Sequence, residues 1–136
     1  MIFFSDGGPT VMKVPVAGGV AEPLGANGNT RLDPEWPHAL PGGQTFVFEG
    51  VESDFVRNTY VQSVNGGEPR LLIEDAWRPI YVASGHLLFQ RNEALMAVAF
   101  DRQRLRVIGS PMPIVERLRS KHYSVSSGGT LVLRAR

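Results

Sequence analysis

Residues 41–48 read Pro41-Gly42-Gly43-Gln44-Thr45-Phe46-Val47-Phe48, a tight glycine turn running into a short apolar stretch. The same phrase returns as Ser84-Gly85-His86-Leu87-Leu88-Phe89 and as Ser127-Gly128-Gly129-Thr130-Leu131-Val132-Leu133, and a fourth apolar run, Ile2-Phe3-Phe4, stands near the start. These runs begin at positions 2, 46, 87 and 131, spacings of 44, 41 and 44 residues. A second element travels with them. Val14-Pro15-Val16-Ala17-Gly18-Gly19 precedes Glu22-Pro23-Leu24, and Gln62-Ser63-Val64-Asn65-Gly66-Gly67 precedes Glu68-Pro69-Arg70-Leu71-Leu72, with the Gly-Gly pairs 48 residues apart. A period of about 40–45 residues holding several short strands marks the blades of a β-propeller. One four-stranded blade has two faces and cannot cover both, so the same apolar pattern must recur in each neighbour.

Between the repeats the apolar runs are short and rich in Val, Ile, Leu, Phe and Tyr, residues that suit a pleated, half-buried surface. The best helical alternative is 91–106. There Leu95-Met96-Ala97-Val98-Ala99-Phe100 reads equally as a buried strand, with Asp101-Arg102-Gln103 as the turn after it. Periodicity alone does not separate the two readings. The repeat does, in favour of a strand.

The segments PEWPHALPGGQTFVFEG (34–50), YVQSVNGGEPRLL (60–72) and GHLLFQRNEALMAVAFD (85–101) resemble the WD40-like β-propeller repeats of the TolB type, found in bacterial multidomain sensor and kinase proteins. The chain departs from that pattern at Pro41-Gly42-Gly43, where the family has Pro-Asp-Gly, and after Phe100, where the family's Gly-Gly is missing. The resemblance implies an all-β fold of about three blades. The first spans 1–25 without its innermost strand, the second 34–73 and the third 78–115. Terminal strands lie within 121–135, supplying an inner strand at His122–Ser126. Closed propellers have typically about four to eight blades. Two resolutions follow: the chain is a piece of a longer propeller, or two copies pair as a six-bladed homodimer, each terminal inner strand completing its partner's first blade. The second is the expectation taken forward.

Composition narrows the function classes. Fourteen basic and 13 acidic residues leave a net charge of +1, no general attraction for nucleic acid or an anionic membrane. There is no cysteine, so disulfides and thiolate metal sites are excluded. Met1-Ile2-Phe3-Phe4-Ser5-Asp6 lacks the basic and long apolar regions of a signal peptide, and no apolar run is long enough for a membrane helix. The family look-alikes are often extracytoplasmic; the sequence itself assigns no compartment.

Signatures of high catalytic specificity, such as G-x-S-x-G, H-E-x-x-H, a P-loop or an EF-hand loop, are missing. Propeller ligands meet the channel lined by the inner strands. Aligning those strands on their glycine turns groups Trp36, Arg78 and His122, and two residues on His38, Ile80 and Ser124. Strict alternation would put both sets on one face, where Trp36, His38, Arg78, His122 and Ser124 would bind a polar or anionic small molecule or a protein loop. The plainer account of the same residues is packing between blades. In the loops entering the inner strands, Asn29, Asp33, Glu35, Glu74 and Asp75 offer oxygen ligands for a divalent cation such as Ca²⁺. With His38 or His122 as general base, that would make a metal-dependent hydrolase of esters, lactones or phosphoesters. The plainer account is solvated loop charge. Glu52, Asp54 and Arg57 are expected in a nine-residue loop, and Arg117, Arg119 and Lys121 as a basic edge that discourages strand pairing. The leading expectation is a non-enzymatic binding and assembly module.

Overall fold

A computed structural model describes residues 1–5, 11–24, 33–53, 56–118, 123–126 and 129–133; the side chains of Asp33, Glu52, Ser53 and Leu133 are outside the description. The described residues form thirteen strands and no helix. In chain order these are β1 (Ile2–Ser5), β2 (Val11–Val14), β3 (Glu22–Pro23), β4 (Asp33–Ala39), β5 (Thr45–Ser53), β6 (Val56–Ser63), β7 (Gly66–Ile73), β8 (Trp77–Val82), β9 (His86–Arg91), β10 (Ala94–Asp101), β11 (Arg106–Val115), β12 (Tyr123–Val125) and β13 (Leu131–Leu133). Residues 91–106, the helical alternative, form the end of β9, all of β10 and the turn into β11.

The strands make four antiparallel sheets, each with sequential neighbours: β1-β2-β3, β4-β5-β6-β7, β8-β9-β10-β11 and β12-β13. Every described connection within a sheet is therefore a local hairpin. The inner turns repeat in detail. The Gly43 N–H donates to the Leu40 carbonyl at 3.1 Å, Gly85 to Val82 at 2.9 Å and Gly129 to Ser126 at 3.0 Å. Each of these glycines has a positive φ (70°, 88° and 88°), a conformation that costs a side-chain-bearing residue and that the turn requires. These bonds align Leu40, Val82 and Ser126, and hence Trp36 with Arg78.

Why the sheets stack follows from β5. Phe46 and Phe48 point to one face and Val47 to the other, and all three are fully buried. Phe46, Phe48 and Tyr60 meet Phe3, Val11 and Leu24 of the first sheet and its exit. Phe3 stacks on Phe46 with ring centres 5.7 Å apart, and Phe46–Phe48 and Phe48–Tyr60 follow at 5.6 Å each, a ladder from one sheet across the next. On the opposite face Leu40, Val47, Val61 and Ile73 pack against Leu87, Phe89, Val98 and Phe100 of the third sheet. The third sheet repeats the device: Leu88 and Leu95 face Leu118 and Tyr123, with Val125 and Leu131 of the terminal pair at the margin. Three apolar layers thus separate four sheets. Strand β4 packs against β8, and β7 against β11.

The nine-residue loop expected around Glu52, Asp54 and Arg57 is corrected. Strand pairing continues through Val51↔Arg57 to Ser53↔Val56, so Arg57 belongs to a strand. The β-branched Val51 and Val56 favour that extension.

Because Phe48 fills the layer between the first two sheets, Phe48→Ala should cost about 3–5 kcal/mol. Val132→Ala, at a position 63% exposed, should cost under about 0.5 kcal/mol. Urea denaturation of the two variants beside the parent chain measures both.

Candidate functional site

The side chains with the most chemistry gather where β4, β5, β6 and β8 meet at one end of the inner strands. Strands β4 and β8 share an irregularity. On β4 the register jumps between Glu35↔Glu49 and His38↔Val47, and on β8 between Trp77↔Gln90 and Ile80↔Leu88. At each jump a residue before proline turns left-handed: Trp36 before Pro37 at φ 53°, Arg78 before Pro79 at φ 50°. Proline pushes its predecessor toward extended backbone, so this conformation is strained, by about 1–3 kcal/mol per residue. It persists because its surroundings hold it. A bulge removes ladder partners, and at Arg78 side chains replace them. Glu49 Oε1 accepts the Arg78 N–H at 3.0 Å, and the Tyr123 hydroxyl donates to the Arg78 carbonyl.

The Arg78 guanidinium lies 4.3 Å from the centre of the Trp36 ring and 5.2 Å from that of Tyr123. An arginine between two aromatic faces gains cation–π attraction from both. The structure therefore brings together Trp36 and Arg78, two of the three residues grouped from sequence. The third member of the stack is Tyr123, whose neighbour His122 lies outside the described residues.

Below this stack sits a carboxylate that sequence reasoning passed over. Glu49 is 1% exposed. Its Oε2 accepts a bond from Arg57, whose guanidinium also reaches Glu35 at 3.1 Å and lies 5.2 Å from the centre of the Trp77 ring. Burial pushes the Glu49 carboxyl above its ordinary value, partly offset by Arg57 and by the Arg78 N–H. Burial opposes the Arg57 charge, but its bonds to Glu49 and Glu35 outweigh that and raise its pKa. Burial also pushes the Tyr123 phenol up. In the third sheet the position matching Glu49 is Gln90, paired with Trp77 as Glu49 is with Glu35. The ion pair is thus particular to the second sheet. A buried carboxylate facing an arginine eight residues on would have been its signal, hidden by placing Arg57 in a loop.

The linker from β7 to β8 is fixed to the same region. The Ala76 N–H donates to the Arg57 carbonyl at 3.1 Å, Thr59 Oγ1 donates to the Ala76 carbonyl at 3.1 Å, and the Asp75 N–H donates to Asn58 Oδ1 at 2.9 Å. Arg91 donates to the carbonyls of Glu74 and Asp75.

The remaining expected residues disperse. His38 pairs with Val47 across the sheet; burial lowers its pKa, partly offset by a backbone hydrogen bond at Tyr81. The bulge also breaks the strict alternation that was to put Trp36 with His38, and Arg78 with Ile80, on one face. Ile80 packs beside the layer under Tyr123, and Ser124 is exposed, paired with Val132. Of the cation candidates, Asn29 and the Asp33 side chain lie outside the description, Glu35 is bound by Arg57, and Glu74 and Asp75 are exposed in the linker. Among the described residues no three His, Cys, Asp or Glu side chains are grouped as a metal ion would need. Arg117 is described, with φ 59°; Arg119, Lys121 and Asp54 are outside the description.

Beside the stack a groove of about 540 Å³ is lined by Phe3, Phe4, Ser5, Glu35, Trp36 and Pro37. It runs along β1, the edge strand of its sheet, and against the β4 bulge. Trp36 is 46% exposed and the Glu35 side chain 45%. The groove thus offers aromatic surface and one carboxylate. Comparison of the sequence with family models and with curated proteins gives no match.

Removing Arg57 would leave Glu49 buried without its counter-ion, a loss of about 3–5 kcal/mol. The Glu49 pKa would then rise further above its unfolded value. The folded variant would therefore take up a proton more readily than the unfolded chain, and the penalty would be largest near neutral pH and shrink as pH falls through the folded pKa. Arg57→Met compared with the parent chain by urea denaturation at about pH 7 and about pH 5 should show the gap narrowing in acid; an equal gap at both would remove Glu49 as the cause.

Proposed function

We propose that this chain is a β-propeller binding and assembly module. Its sheets are blades around a common axis, a second copy completes the ring, and the inner-strand end around Trp36, Glu35 and Arg78 receives a protein loop or a small polar ligand. One observation carries the reading. Four sheets stack through three apolar layers, and between the two four-stranded sheets β4 lies against β8 and β7 against β11. Sheets that are apolar on both sides must be covered on both sides, and repetition around an axis does this for every blade.

The groove beside Trp36 supports the ligand half of the reading. Its volume falls within the usual range of small-molecule sites, about 300–1,000 Å³. Phe3, Phe4, Trp36 and Pro37 suit a planar or apolar body, and Glu35 suits a hydrogen-bond donor on it. A metal-dependent hydrolase draws no comparable support among the described residues.

Multi-angle light scattering coupled to size exclusion should give a mass near twice the 14.9 kDa chain. A folded monomer at micromolar concentration would remove the ring. For the ligand half, thermal-shift screening of small polar compounds should yield a stabiliser whose effect is lost in Trp36→Ala and kept in Ser124→Ala. A stabiliser indifferent to Trp36 would place binding elsewhere.

A further inference from the structure

Among the described residues the two outermost sheets each carry apolar side chains that are exposed or half-buried on the face turned away from their neighbour. On the first sheet, Phe3 and Val11 face the second. By alternation and by the pairs Ile2↔Val14 and Phe4↔Met12, the opposite face is Ile2, Phe4, Met12 and Val14, with no charged residue. At the other end, the two-stranded terminal sheet lies over the third sheet, which has four strands. Past its margin the cross-strand pairs Ala97↔Met112 and Ala99↔Ile108 leave Ile108 55% and Met112 68% exposed. Ile114, 50% exposed, lines a cleft of about 470 Å³ with Leu88, Ala97, Val125 and Leu131. Contiguous exposed apolar surface of this kind marks an interaction site.

Resting on the ring reading above, we infer that the bare face of the first sheet of one copy seats on the bare outer half of the third sheet of a second copy, alongside the second copy's terminal sheet. Two features single out a second copy as occupant. Each patch borders the end strand of its sheet, β1 at one end and β13 at the other, and an edge strand is a template for another strand. The strand numbers also bear on it: two strands cover about half of a four-stranded face, and three more are enough to span the rest. The net charge of +1 sets up little repulsion between copies. A two-fold axis makes the contact twice and consumes all four bare patches. This differs from an exchange of inner strands, because β12 already carries β13 along one edge, through Tyr123↔Leu133, Ser124↔Val132 and Val125↔Leu131.

The test uses exposed positions. Ile2→Lys and Ile114→Glu should each weaken the dimer at least about thirtyfold, the loss typical of a central anchor, with the far-ultraviolet circular dichroism of the parent. Met112→Glu gives a second lesion should Ile114→Glu fail to fold. An equimolar mixture of the I2K and I114E chains should recover dimer, because a mixed dimer has one unaltered seam and one with opposite charges. Val16→Lys, 74% exposed and outside both patches, should change nothing. Sedimentation velocity reads all of these. A dimeric parent that I2K, I114E and M112E leave intact would overturn the seam while keeping the ring; a monomeric parent would overturn both.

Discussion

The two four-stranded sheets are apolar on both sides, and the architecture follows from that constraint. In β5 the alternation of Phe46, Val47 and Phe48 sends large apolar groups to both faces, and in β9 Leu87, Leu88 and Phe89 do the same. A sheet with one wet face reads apolar, polar, apolar. A sheet apolar on both faces is stable only inside a stack. The hairpins come almost without cost in topology, since each strand pairs with its sequence neighbour. What needs explaining is the order of layers, and the phenylalanine ladder from Phe3 to Tyr60 explains the first of them. Those rings fill the layer between the first two sheets and stack with centres 5.6–5.7 Å apart, within the range aromatic pairs favour.

Apolar layers slide unless something sets their register, and the Glu49–Arg57 pair is placed to do so. A buried ion pair is weak support for stability, because desolving both charges consumes most of the attraction. Its value lies in direction. Glu49 takes a guanidinium from its own sheet and a backbone N–H from the next, so it is satisfied in only one relative placement of the two sheets. Tyr123 repeats the idea one layer on, holding the Arg78 carbonyl from the terminal sheet. The strained backbone at Arg78 is thus gripped from both sides, and its guanidinium is aimed at Trp36.

Much of this was legible in the sequence because the repeat is carried by groups that act locally. The glycine turns, the apolar runs and their 41- and 44-residue spacing predict strands that the structure places within a few residues. They also align Trp36 with Arg78, and these two residues do touch. The rest was hidden for physical reasons. A left-handed residue before proline runs against local preference, so no propensity predicts the bulges, and alternation fails across them. Arg57 read as loop because Glu52, Ser53 and Asp54 interrupt the apolar pattern, whereas strand pairing across β5 and β6 continues to Ser53↔Val56. Glu49 read as the polar end of a strand because burial of a carboxylate depends on a partner that only the fold brings near.

The bulges and the bare edge are parts of one arrangement. At β4 the bulge swings Trp36 out of the ladder and toward β1, so the groove has the β1 edge as one wall and the indole as the other. The strain at Trp36 accompanies this shape. Residues held in costly backbone conformations cluster where a surface must be shaped before its partner arrives, and here the cost is met by the same stacked arginine that fixes the indole's orientation.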